Sequence, residues 1–279
     1  MKKIKEVTEL KRKAIDVRKD ILVMLEKAGS GHTGGSLSIV EILVFLYYQK
    51  MKFDPKKHDW KERDKFILSK GHGCPALYAV LADQGFFPRE ELWTLRKLGS
   101  RLQGHPQLGL PGIETSSGSL GQGLSVAVGF AISDKMDKIK SRVYCLMGDG
   151  ETNEGQVWEA AATAAHYKLD NLCGIIDFNK MQIDGWCCEV KEQGAYRKKW
   201  ENFGWHAIEA DGHDFQSLDK AFDQAQSIKD KPQVIIAHTV KGKGVSFVEN
   251  KVQWHGIAPK KDELEKALAE LEEQEKVLK

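Results

Sequence analysis

Two oxygen-bearing side chains draw attention by their spacing. Asp149 lies between Gly148 and Gly150, and 28 residues separate that tripeptide from Asn179. Carboxylate and amide oxygens are hard ligands suited to Mg²⁺ or Ca²⁺. Magnesium commonly takes one or two protein carboxylates together with the phosphate oxygens of a bound molecule. Gly148 and Gly150 allow close backbone approach to a phosphate, and the amides near Gly150 and Glu151 can donate to it. Taken alone, Gly-Asp-Gly is equally well a turn with a capping Asp. A second group is His32, His72, His105 and His255, each in a Gly-flanked segment. Imidazole donates, accepts and transfers protons near neutral pH. His58, His166, His206 and His213 read as surface or hydrogen-bonded structural residues. Lys70 and Lys241 are cations in Gly-flanked turns; either is solvated or aimed at a phosphate, Lys241 with the better claim to the latter.

The elements around these residues decide whether they meet. Residues 142–147 read as a strand, 156–169 as an alanine-rich helix and 172–178 as a second strand. Such a β-α-β unit implies a parallel sheet covered by helices. It puts Asp149 and Asn179 beyond the carboxyl ends of two strands, where open α/β sheets bind ligands. Further strands are expected at 66–68, 206–209 and 234–238, and helices at 6–27, 38–48, 75–84, 89–98 and 215–228. Residues 100–119 form a long loop rich in Gly, Pro and Ser, a kind of segment that is usually functional or disordered. The helix after it carries Gly123, Ala127, Gly129 and Ala131, small residues that let another helix approach closely, including across a subunit interface. The simplest organisation is one α/β domain over 1–260 and a charged helical tail over 261–279. The tail's stripe of Leu264, Leu268 and Leu271 leads towards a partner.

Bulk composition narrows the class. The 279 residues carry 42 Lys+Arg against 40 Asp+Glu, so no nucleic-acid or anionic-membrane surface is indicated. The longest apolar stretch, 38–48, contains Glu41 and is too short to span a bilayer. The N-terminus mixes acidic with basic residues and reads as an amphipathic helix, not a leader. Five cysteines with no CxxC pair, and Cys187 directly before Cys188, fit a reducing cytoplasm better than a disulfide framework.

The stretch GDGETNEGQVWEAAATAAHYKLDNLCGIIDFNK resembles the thiamine diphosphate signature, which opens on GDG and closes on Asn. That resemblance implies a metal held by Asp149, Asn179 and the backbone carbonyl of Met181, bridging the two phosphates of the cofactor. Four further segments, SGHTGGSLS, SKGHGCPALY, QGHPQLGLPGIETSSGSLGQG and VKGKGVSFVENKVQWHG, are similar to transketolase segments in the same order. The likeness runs over about residues 10–260 and matches only the N-terminal, diphosphate-binding domain of that family. It implies a three-layer α/β fold with a mostly parallel central sheet. It further implies that His105 contacts the donor C1 hydroxyl, that His32 and His255 serve a substrate hydroxyl or carbonyl, and that His72 and Lys241 lie near the diphosphate. Gly118, Ser119 and Leu120 correspond to the segment touching the aminopyrimidine ring; many relatives have Pro where this chain has Ser119. Glu154 is either a helix-start carboxylate or, by resemblance, part of a glutamate network between two sites of a dimer.

Thiamine diphosphate must lose a thiazolium proton to become nucleophilic. In transketolases a glutamate of a second, pyrimidine-binding domain assists, and this sequence has no room for that domain. The expectation is a split transketolase, in which an N-terminal chain works with a separate C-terminal one in a dimer of heterodimers. The implied reaction moves a two-carbon ketol unit from xylulose 5-phosphate to ribose 5-phosphate or erythrose 4-phosphate. Alternatives are ketol transfer on another sugar, dihydroxyacetone synthesis, a non-catalytic cofactor-binding subunit, and a piece of a longer enzyme.

Overall fold

Alternation within the strands decides which layer each side chain joins. In strand β2 (Val143–Gly148), Tyr144 and Leu146 enter one apolar cluster. Val143, Cys145 and Met147 enter another on the opposite face. Both sets are buried, which is the signature of a sheet covered on two sides. The computed structural model describes residues 2–278. Its central sheet also contains β1 (Lys65–Leu68) and β3 (Leu172–Phe178). A two-stranded antiparallel ribbon follows, β4 (Met181–Gln182) with β5 (Gly185–Trp186), and then the sheet strands β6 (His206–Asp211) and β7 (Gln233–His238). The five-stranded order is β1-β2-β3-β7-β6 and every pairing is parallel. This is the expected three-layer α/β architecture.

The first face is covered by α1 (Val7–Ala28), α2 (Thr33–Leu37), α3 (Val40–Phe45) and α4 (Cys74–Gln84). Helix α1 buries Leu10, Ala14, Val17, Ile21 and Leu25, a continuous stripe at helical spacing. It stops at Gly29, whose φ of 65° and N–H bonds to the Leu25 and Glu26 carbonyls close the helix end. The second face is covered by α5 (Gln122–Met136) and α6 (Gly155–His166). After the short α7 (Cys187–Val190), α8 (Tyr196–Asn202) adds Trp200 to that face. Helices α9 (Phe215–Ser227) and α10 (Lys261–Val277) return to the first face. No described helix is long and apolar enough to cross a membrane.

Several expected elements differ. The helix expected over 38–48 starts two residues late, at Val40, because Ile39 leaves helical geometry at φ −103°, ψ 8° and separates it from α2; Ser38, at that junction, turns its hydroxyl to Asp177. The chain then runs into a π-type turn at Leu46–Lys50. The helix expected at 89–98 shrinks to a 3₁₀ segment, Arg89–Thr94, and Arg96 takes a left-handed φ of 61°. Helix α8 and the β4–β5 ribbon add to the expected set, each being shorter than any periodic signal.

The tail packs on its own domain. Ala267 and Leu271 are fully buried, Lys19 Nζ lies 2.6 Å from Glu275 Oε2, and Arg12 donates to the Leu278 carbonyl at 2.7 Å. The docking stripe is Leu264, Ala267 and Leu271, while Leu268 stays outside the core cluster. Leu271→Ala is therefore expected to lower stability by about 2–5 kcal/mol, and Leu268→Ala by under about 1 kcal/mol, in urea unfolding. Equal effects would contradict this docking register.

Candidate functional site

The parallel register gathers four loops at one edge of the sheet. Gly148 pairs with Asp177 and Asp177 with Ala237, so β2, β3 and β7 end level with one another. β1 ends next to β2, with Leu68 opposite Leu146. Ser69–His72, Asp149, Asn179 and Lys241 therefore leave the sheet side by side. A cleft of about 370 Å³ lies over these ends. Its walls hold His32, His72, His105, His255, Gly118, Leu120, Asp149, Gly150, Glu151, Glu154, Asn179, Met181 and Lys241. Only Ser119, among the residues singled out from sequence, is exposed and outside the wall.

Beneath the cleft lies a group the sequence did not flag. Asp177 is completely buried. Its Oδ2 accepts from Lys70 Nζ at 2.6 Å, Ser38 Oγ at 2.7 Å and Asn179 Nδ2 at 2.9 Å, and its Oδ1 accepts from Thr239 Oγ1. Burial alone would raise its pKa, but the Lys70 ammonium and these donors hold it below the ordinary carboxylate value. Lys70 is not solvated: it is 2% exposed, pairs with Asp177 and also donates to the Gly35 carbonyl at 2.8 Å. Inside a strand, Asp177 reads from sequence only as a break in an apolar run.

Asp149 is 1% exposed. Its Oδ1 accepts the Gly150 amide at 2.9 Å and its Oδ2 the Lys180 amide at 2.6 Å. The Gly150 N–H is thus turned onto Asp149 rather than left for a phosphate. Burial, and then the Asp177 charge, push the Asp149 carboxyl up to about 7, against the pull of the two amides and Lys70. Asn179 accepts the Met181 amide on Oδ1 at 3.1 Å. Among the described residues no three His, Cys, Asp or Glu cluster as a metal cage. The available donors are one carboxylate, one amide oxygen and backbone carbonyls, a hard set that matches a magnesium ion whose remaining ligands come from phosphates. His32 Nδ1, Asn153 Nδ2 and Gln182 Nε2 are buried without any partner, and all three residues line the cleft. Unpaired buried polar atoms of this kind fit a cleft built around a polar molecule. Glu151 points its carboxylate into the fold, accepting from Ser69 Oγ, the Gly121 amide at 2.8 Å and the Gly148 amide at 3.0 Å.

The four histidine rings come together from four separate loops. The His32 centroid lies 5.1 Å from His72, 5.5 Å from His255 and 6.1 Å from His105. Glycines make that approach possible. A Cβ on Gly35 would stand 3.2 Å from the His72 ring, and one on Gly118, at φ 149°, 3.2 Å from His105. Burial first, then the cations around them, lower every ring's pKa: His32 to about 4, His255 to about 3, with His72 and His105 also lowered. Lys241 is brought down to about 8 by burial and by Lys70. Its Nζ lies 2.7 Å from His255 Nδ1. An ammonium has only hydrogens to give, so Nδ1 accepts and His255 carries its hydrogen on Nε2.

The Lys241 loop has its own support. Val240 donates its amide to His213 Nε2 at 2.8 Å, so the His213 hydrogen sits on Nδ1, 2.9 Å from Glu41 Oε2. Arg18 bonds Glu41 at 2.7 Å and the Lys243 carbonyl at 2.8 Å. His213 is structural, as its sequence context indicated, but what it holds is the segment carrying Lys241. Long sequence separations hid this network.

Comparison with known proteins places these features. The family described as "Transketolase, thiamine diphosphate binding domain" matches residues 11–275. The 6-deoxy-6-sulfo-D-fructose transketolase subunit SqwG of a Clostridium species is 45% identical, the match covering 95% of this chain and 97% of that one. An apulose-4-phosphate transketolase subunit of Phocaeicola vulgatus is 43% identical over 92% of this chain and 91% of its own. The crystal structure of transketolase from Campylobacter jejuni superposes with a TM-score of 0.91 at 33% identity, over 96% of this chain and 43% of that one. The chain thus spans less than half the length of that solved transketolase and nearly all of the two subunits.

Two outcomes follow from this geometry. In an NMR pH titration, the His32 and His255 rings are expected to stay neutral from pH 8 down to about pH 5; a midpoint near 6.5 for either would contradict the buried, cation-flanked setting. Because an unfolded His protonates near 6.5 and these rings only at about 4 and about 3, they contribute a loss of stability as pH falls through that window. His213→Ala is expected to cost about 1–3 kcal/mol and to speed hydrogen exchange at the Val240 amide. Unchanged exchange there would remove His213 from the support of the loop.

Proposed function

The chain belongs to the family of transketolase thiamine diphosphate-binding domains, and from that membership we propose that it is the cofactor-binding subunit of a two-subunit transketolase. The observation that carries the reading is the convergence of Asp149, Asn179, Lys241 and four neutral histidine rings in one cleft at the strand ends. The subunit character is supported by two relatives of nearly the same length that are named as transketolase subunits. The proposed organisation is a thiamine diphosphate domain over 1–260 with 261–279 as its docked helical tail. A separate C-terminal subunit brings the pyrimidine-binding domain and its glutamate, in an assembly of two chains of each kind. Five free cysteines suit the reducing cytoplasm.

In this reading Asp149, Asn179 and the Met181 carbonyl hold Mg²⁺, or Ca²⁺, against the cofactor's phosphates. Lys241 offsets diphosphate charge, the neutral His72 ring offers it a hydrogen bond, and the backbone at Gly150 and Glu151 borders the same group. Gly118, Ser119 and Leu120 lie at the pyrimidine edge, and Glu154 faces the partner half of the assembly. Thiamine diphosphate, when bound, supplies a nucleophilic carbon and an electron sink for breaking the sugar C2–C3 bond. The histidines do the rest of the polar work. His32, His105 and His255, held neutral by burial and cations, donate and accept hydrogen bonds at the hydroxyl and carbonyl oxygens of the sugar phosphate. Neutral imidazole suits this role, because it keeps both a donor and an acceptor on one ring. The Lys241 bond leaves His255 presenting its Nε2 hydrogen as a donor.

The reaction is transfer of a two-carbon ketol unit from a ketose phosphate to an aldose phosphate. Xylulose 5-phosphate with ribose 5-phosphate or erythrose 4-phosphate is the general pair. The sulfofructose and apulose 4-phosphate named for two relatives belong in the same donor panel.

The test is reconstitution with a candidate C-terminal subunit, thiamine diphosphate and Mg²⁺. The mixture is expected to transfer ketol units from at least one of the three donors, and the chain alone from none. Full activity of the chain alone would overturn the two-subunit reading; a cofactor-loaded complex inert on all three donors would favour a non-catalytic subunit. Asp149→Ala is expected to weaken magnesium-dependent cofactor binding by at least about ten-fold in calorimetry. Unchanged affinity would refute the metal assignment.

A further inference from the structure

A cavity of about 260 Å³ lies away from the cleft, between residues 51–64 and the 109–114 part of the long loop. Its wall is aromatic. Tyr47 meets Phe53 and Phe66 edge to face at 5.3 and 5.8 Å, and Phe53 stacks on Phe86 at 5.5 Å. Three carboxylates, Asp54, Asp64 and Glu114, face it against a single guanidinium, Arg63. Two of the carboxylates are already engaged. Glu114 is paired end-on with both terminal nitrogens of Arg63, one of the two contacts being 2.8 Å, and Asp64 accepts the Lys52 and Arg142 amides at 2.8 and 2.9 Å. Asp54 accepts only its neighbour's amide, from Lys56 at 3.0 Å, and has no cationic partner among the described residues. It also borders an adjoining surface recess, lined with it by Phe53, Lys57, Asp59 and Trp60.

The second observation is Tyr47 itself. It is 2% exposed, it lines the cavity, and its hydroxyl has no hydrogen-bond partner among the described residues. A buried phenol normally finds one. Aromatic faces, an uncommitted carboxylate and an unpaired hydroxyl are the groups that together recognise an organic cation. The rings supply aromatic contact, the carboxylate offsets the charge, and the hydroxyl takes a polar substituent.

We propose that this cavity binds a small organic ammonium ion bearing a hydroxyl or similar polar group. The site is separate from the cleft, yet one irregular segment joins them: residues 109–114 wall the cavity, while His105 and Gly118 of the same loop line the cleft. An occupant would restrain that loop. The inference does not depend on the reaction assigned to the cleft, and its test reads binding alone.

The full chain is titrated by calorimetry with choline and with benzyltrimethylammonium, and with 3,3-dimethylbutan-1-ol as the uncharged counterpart of choline. Saturable one-to-one binding of choline is expected, with the uncharged alcohol about ten-fold weaker or more. In methyl NMR, shifts are expected at Met51 and Ile113. Asp54→Asn and Tyr47→Phe are each expected to weaken choline binding by about ten-fold with an unchanged thermal melt. Asp54 is a partly exposed loop residue, so its variant keeps the test valid if the Tyr47 variant is unstable. The proposal is overturned if neither cation binds saturably, if the alcohol binds as well as choline, if Asp54→Asn leaves affinity unchanged, or if the shifts fall on the cleft instead.

Discussion

Lys70 and Asp177 carry full charges in a place with almost no water. Taking two such ions out of solvent costs several kcal/mol each, and their attraction offsets this only when every remaining hydrogen-bonding position is filled. Here the Asp177 carboxylate is filled from all sides, and two of the three Lys70 hydrogens are taken. Ser38 comes from the break between α2 and α3, the Gly35 carbonyl from α2, Asn179 from the end of β3, and Thr239 from the end of β7. Each donor or acceptor lies within a few residues of a cleft residue: Gly35 near His32, Lys70 near His72, Thr239 near Lys241. The pair therefore works as a joint that fixes four loops relative to one another. Ser38 donates to it from the junction between α2 and α3.

The same charges set the chemistry above. Burial removes the water that would stabilise an imidazolium, and Lys70 and Lys241 then repel a proton from the histidines. Burial, and then the Asp177 charge, work in the opposite sense on Asp149 and raise its pKa.

Support for the cleft extends well beyond the residues that line it. Arg18, Glu41 and His213 hold the Lys241 loop from α1, α3 and the end of β6, and Glu151 ties Gly121 and Gly148 to Ser69. These are buried polar networks with their bonding positions largely satisfied, which rigidify a site instead of leaving it to loop mobility. The long loop from 100 to 119 is shared between the cleft and the aromatic cavity.

The sequence alone determined what depends on short-range pattern. The β-α-β unit was legible because apolar runs and an alanine-rich helix alternate at the right lengths. Asp149 and Asn179 were legible because glycines and strand ends mark them, and the histidines because glycine flanks each one. The family was legible from the order of those segments. Only the tertiary structure decided what depends on partners far away in the chain. Asp177 and Lys70 lie 107 positions apart, and Glu41 and His213 172 apart. A buried charge looks the same as an exposed one in a string of letters, since its meaning lies in the desolvation it suffers and the donors that surround it. The bond from Ser38 to Asp177, the inward turn of Lys70 and the docking of the tail on α1 all follow from that, because each was settled by burial and pairing across the fold and not by local propensity.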